Sequence, residues 1–135
     1  VNQATLAASL KLHEGVRSLP YEDSVGILTI GVGHNLEKPI SKAAIEQILQ
    51  DDIAEAISEM DRMFAGWRNH SNNRQNVLVE MCFNLGAPRL KMFSSMWEAL
   101  QFKDYPKAAT EMLDSRWAKQ VGNRARTMAE AMRNG

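Results

Sequence analysis

Residues Glu14–His34 read EGVRSLPYEDSVGILTIGVGH, and within this stretch the hydrophobic period changes. Before it, Leu6, Leu10 and His13 recur at helical spacing, which predicts a helix from Ala4 to Glu14 that stops at Gly15. Inside it, Gly26, Gly31 and Gly33 interrupt Val25, Ile27, Leu28, Ile30 and Val32, the pattern of a β-hairpin or small meander with its turn near Ser24-Val25-Gly26. Beyond it, Pro39 breaks the chain. Ser41 is a suitable N-cap for a long helix in which Ile45, Ile48, Leu49, Ile53, Ala56, Ile57 and Met60 keep the helical period.

Gly66–Asn73 has loop composition, and a helix over residues 75–85 ends at Gly86 with Pro88 just beyond. Shorter helices are expected over 94–100, 105–114 and 123–133. The fold class is therefore α+β, with a small sheet, a larger helical body and a cleft expected between them. The expected organisation is one domain: a β lobe over 15–40, a connecting helix over 41–64, and a helical lobe over 65–135 that also takes the N-terminal helix.

The chain has 135 residues, 44% of them hydrophobic and 24% charged, enough for a core and too apolar for a disordered segment. Formal net charge is zero, but residues 100–135 carry 7 Lys/Arg against 4 Asp/Glu. So small an excess fits a solvated helix face as well as an anionic partner. With Cys82 alone, neither an intrachain disulfide nor a cysteine metal cluster can form, and its apolar neighbours predict a buried thiol. No apolar run reaches the length of a membrane helix, and the first residues lack a signal-peptide pattern.

Glu14 needs an explanation. It is an acid in the last turn of a helix, where the dipole favours cations, and that field favours its protonated form. A carboxyl that keeps its proton is what a general acid for glycoside cleavage requires. Asp23, nine residues on, can bring a second carboxyl across from it, although Glu22-Asp23-Ser24 is also good turn chemistry. Strand alternation puts Thr29 on one face with Gly31 and Gly33, leaving room for another molecule, with Leu28, Ile30, Val32 and His34 opposite.

Taken together, Glu14-Gly15, Tyr21-Glu22-Asp23 and Thr29-Ile30-Gly31-Val32-Gly33-His34 resemble the signature of the phage-type lysozymes, nearest to the T-even coliphage members. The likeness extends through Cys82-Phe83-Asn84-Leu85-Gly86, Ser115–Gln120 and Asn123-Arg124-Ala125, covering residues 10–127. It implies a muramidase that cuts the β-1,4 bond from N-acetylmuramic acid to N-acetylglucosamine with inversion and without metal or organic cofactor. Glu14 would be the acid, Asp23 and Thr29 would position the water, and Arg124 would orient Glu14. Phe83, Asn84, Gly31, Asn35, Met96 and Glu111 would contact substrate, and His34 would form a structural ion pair.

The likeness predicts peptidoglycan glycan strands as the partner of a monomer, while the zero net charge and the lack of a long apolar run predict no nucleic-acid partner and no membrane insertion. The chain would be made in the host bacterial cytoplasm without its own signal and act on the wall after release, with a phage-tail or secreted role as the alternatives. The sequence departs from the coliphage pattern after His34, where it passes almost directly to the long helix, and soon after Arg126, where a terminal segment is missing. Two other readings compete on the same residues. A lytic transglycosylase needs only the Glu, and a wall-binding module needs none of the three. Nucleic-acid binding through Arg116, Lys119, Arg124 and Arg126 is opposed by the zero net charge.

Overall fold

Helix α1 (Gln3–Glu14) begins where Asn2 Oδ1 accepts the Thr5 N–H at 3.0 Å. It ends at Gly15, whose N–H makes the last return to the Lys11 carbonyl and whose φ of 79° turns the chain out of the helix. The computed structural model describes residues 1–135 as eight helices, a 3-10 turn and one three-stranded antiparallel sheet in the order β1-β2-β3, the expected α+β class. Contacts divide the chain into two units, residues 1–47 and 48–135, with the boundary inside the long helix. This division puts α1 with the strands, whereas the sequence pattern assigns it to the helical body.

In the first unit, β1 (Arg17–Glu22) pairs with β2 (Leu28–Gly31), and β2 pairs with β3 (His34–Asn35). Thr29 stands opposite Tyr21 on one side and Asn35 on the other. The first strand starts earlier than the sequence pattern suggests, because Arg17–Pro20 is extended too. The expected alternation through Gly33 fails: Gly31 and Gly33 have φ of 67° and 63°, so the strand ends at Gly31 and turns. Nor does α1 have an inward face here. Leu6 and Leu10 stay 47% and 43% exposed, and no α1 residue is buried. Strands of 6, 4 and 2 residues offer too little apolar area to cover a helix.

Helix α2 (Lys42–Met63) starts as its N-cap predicts, with Ser41 Oγ accepting the Ala44 N–H at 3.1 Å. In the second unit, a 3-10 turn (Trp67–Asn69) leads to α3 (Asn72–Leu85), capped by Ser71 Oγ on the Arg74 N–H. Gly86 stops α3 with φ of 82°, and its N–H returns to Cys82 O. Then follow α4 (Ala87–Lys91), α5 (Ser94–Gln101), α6 (Tyr105–Leu113), α7 (Arg116–Val121) and α8 (Asn123–Asn134). The short α4 and α7, of 5 and 6 residues, are below the length at which a hydrophobic period can be read.

The core of this unit is rich in methionine: Met60, Met81, Met96, Met112 and Met132 are fully buried beside Leu78, Leu90 and Leu100. Helices α6 and α8 pack against each other most extensively, and α5 covers α6. Cys82 is buried as expected, and burial followed by the charge of Glu59 pushes its thiol above the usual range. No helix is long and apolar enough to cross a membrane.

Candidate active site

Asp23, Ile27 and Thr29 are tied together around the β1–β2 turn. Asp23 Oδ1 accepts the Val25 and Ile27 N–H groups, each at 2.9 Å, and the Asp23 N–H donates to Ile27 O at 2.9 Å. Asp23 is thus the turn residue that its neighbours suggest, and its second oxygen, Oδ2, is left out of the turn. Thr29 Oγ1 donates to the same Ile27 carbonyl at 2.8 Å. Since the hydroxyl proton is spent on that carbonyl, the oxygen has lone pairs left to accept with. Thr29 is the one buried polar residue, 3% exposed, so its orientation is fixed by packing as well.

Glu14 is exposed at the end of α1, and none of the hydrogen bonds or ion pairs of the N-terminal unit involves it. Its carboxylate lies against Gly33: a Cβ there would stand 3.1 Å from Glu14 Oε2 and 3.2 Å from Cδ. Gly33 therefore gives Glu14 its space, whereas the sequence pattern assigns it to the face of Thr29. Gly31, a candidate substrate contact, has open space where a Cβ would be. Asn35 uses its Oδ1 on the Glu37 N–H at 2.8 Å, which leaves its amide NH₂ as the free end. His34 pairs with Ile30 across the strands, but its side chain is exposed and does not make the ion pair expected of it. The first unit thus contains Glu14, Asp23, Thr29, Gly31, His34 and Asn35.

The remaining candidates lie in the helical unit. Phe83, 46% exposed, borders a groove of about 430 Å³ with Ile53, Ile57, Val79 and Arg124. Arg124, assigned to Glu14 by the resemblance, is paired in this structure with Glu80, both its Nε and a terminal nitrogen lying 3.1 Å from Glu80 Oε1. Asn84 Oδ1 accepts the Trp117 indole N–H at 2.8 Å, so its carbonyl end holds α3 to α7. Met96 and Glu111 border one depression of about 230 Å³, but Met96 has no accessible surface, which corrects its assignment as a substrate contact. An unbranched apolar side chain at that register of α5 fills the core instead.

Sequence reasoning misses Ile27 as the brace between Asp23 and Thr29, because it acts through its peptide group, which every residue has. It also misses Glu80, three residues before Phe83, whose only signal is a charge one turn from an apolar stripe.

The family model described as Phage lysozyme matches residues 11–133. The chain is similar to the probable T4-type lysozyme 2 of Dictyostelium discoideum, 25% identical over 98% of this chain and 95% of that protein. It is also similar to the pre-baseplate central spike protein Gp5 of Enterobacteria phage T4, 27% identical over 90% of this chain and 26% of that one. The endolysin of Bacillus phage B103 is 28% identical over 84% of this chain and 44% of its own length.

Proposed function

Because the chain belongs to the phage lysozyme family, and is accordingly a glycosidase acting on peptidoglycan, we propose that it cuts the β-1,4 bond from N-acetylmuramic acid to N-acetylglucosamine by single displacement. The observation that carries this reading is the Ile27 brace. It leaves Asp23 Oδ2 on the turn and the Thr29 oxygen on the strand that follows, two acceptors tied to one peptide group, to take the two hydrogens of a water. A water held by both hydrogens directs a lone pair outward, toward the anomeric carbon of a sugar.

Glu14 protonates the departing glycosidic oxygen while Asp23 takes a proton from the attacking water, so the anomeric configuration inverts. Gly33 supports the acid's part by leaving the space that the carboxyl occupies. By the family resemblance, the part of orienting the acid falls to Arg124, held by Glu80 in this structure, and contact with the glycan and its peptide to Phe83, the Asn35 amide and Glu111. No step requires a metal, since acid, base and water account for every proton moved.

The test is release of soluble fragments from purified peptidoglycan by the parent chain and by Glu14→Gln, with mass spectrometry of the ends. Reducing muramic ends from the parent, with release by the variant lower by roughly 10²-fold or more, are expected. Anhydro-muramic ends would replace the mechanism with a transglycosylase, and no release from a folded, wall-binding parent would leave a binding module.

A further inference from the structure

Within the helical unit, the segment Phe64–His70 and helix α5 border a half-open cavity of about 510 Å³, within the size range of small-molecule sites. Every residue lining it falls in residues 48–135, outside the unit that carries Glu14, Asp23 and Thr29. Its wall is aromatic: Phe64 and Trp97 stack with ring centroids 4.4 Å apart and planes 10° from parallel, and Trp97 keeps part of its surface accessible. The Trp97 indole N–H donates to Leu90 O at 2.9 Å, which locks the ring in place.

The lining also includes Asn69, Glu98, Gln101 and Lys103, whose side chains make no hydrogen bond or ion pair within the chain. Two amides, a carboxylate and an ammonium thus supply donors and acceptors with no internal use. The one acidic and the one basic side chain cancel. Burial, followed by the charges of Lys103 and Arg74, pushes the His70 imidazole below its usual range, so at neutral pH that wall bears a neutral ring.

Lys103 is the only non-glycine residue with a positive φ, 56°. It closes α5: the Lys103 N–H returns to Leu100 O at 3.0 Å and the Asp104 N–H to Ala99 O at 2.8 Å, a Schellman arrangement. Glycine would take that conformation without the steric cost of a side chain. Lysine there instead puts an ammonium on the rim of the cavity.

We propose that this cavity is a second glycan-binding site, separate from the catalytic residues, that takes the N-acetylated sugar units of the wall. A rigid aromatic wall suits the apolar face of a pyranose, and unpaired amides on the rim suit its hydroxyl and acetamido groups. The charge balance favours an uncharged sugar over an anionic polymer. The inference rests on the reading of the chain as a peptidoglycan hydrolase, which makes acetamido sugars its substrate class.

The experiment is a titration of the ¹⁵N-labelled Glu14→Gln chain with chitotetraose, the uncharged N-acetylglucosamine tetramer, followed by NMR. Saturable shifts of the Asn69 and Gln101 side-chain amides are expected. In Asn69→Ala/Gln101→Ala the affinity read from the Trp97 indole should fall at least fivefold. Lys103→Gly should raise the melting temperature while weakening the same binding several-fold. Shifts confined to residues 14–35, or an affinity unchanged in the double variant, overturn the site. Fragment release by the parent is measured alongside: release without cavity shifts removes this site alone, and cavity shifts without release remove the catalytic mechanism alone.

Discussion

Gly33 shows how one missing side chain serves a site. Its φ is 63° and a Cβ on it would stand 3.1 Å from Glu14 Oε2, so an alanine there meets both backbone strain and the acid. Gly26, with φ of 82° and nothing within 4 Å, meets strain only. Gly33→Ala and Gly26→Ala should each lose about 1–2 kcal/mol of stability, measured by thermal or urea unfolding. Only Gly33→Ala should also lose turnover, by about tenfold, since Glu14 must move from its place. Equal turnover in the two variants would separate Gly33 from the acid. The intervals between Glu14, Asp23 and Thr29 can be read at this scale, and it is their match to the family pattern that makes them the candidates. The Glu14–Gly33 contact cannot be read there, because strand alternation, the rule available from sequence, breaks where Gly31 turns left-handed.

Helix ends are joined by polar contacts, and the junction after α2 carries the clearest pH dependence. Asp61, near the end of α2, accepts the Trp67 indole N–H at 2.8 Å and holds Arg68 through both oxygens at 2.7 and 2.9 Å. Chiefly the Arg68 hydrogen bonds, then that from Trp67, lower its pKa to about 2. A carboxylate depressed in the folded state stabilises it fully above the unfolded value of 3.8, and that contribution disappears as the pH falls through about 2. The stability difference between the parent and Asp61→Asn should therefore be present at neutral pH and fade between about pH 4 and pH 2, read from urea unfolding at each pH. Because the pair is exposed, added salt should shrink it. A difference that persists at pH 2 would assign it to packing. Among the elements, α2, α3, α5, α6 and α8 are legible from period and caps. The strand over Arg17–Pro20 and helices α4 and α7 are not, since each is shorter than two helical turns or interrupted by proline.

Across the whole molecule, burial is uneven. The helical unit holds the methionine-rich core, whereas Thr29 is the one buried residue of the first unit. Amides of α6 and α8 should exchange with deuterium most slowly and those of the first unit fastest, the order that buried contacts impose on local opening. Met112→Ala, at a site with no accessible surface, should cost about 2–5 kcal/mol in unfolding experiments, and a loss below about 1 kcal/mol would mean that the flexible neighbouring methionines refill the space. By itself the sequence determined the α+β class, the caps at Ser41 and Gly86 and the buried thiol. Those depend on local geometry and residue type, which an ordered string contains. Only the tertiary structure decided that Ile27 braces Asp23 to Thr29, that Arg124 meets Glu80 and that Met96 is core. Peptide groups look alike in every residue, ion pairs form between residues 44 apart, and one helical register separates a lining side chain from a buried one; none of these is a local property of the chain.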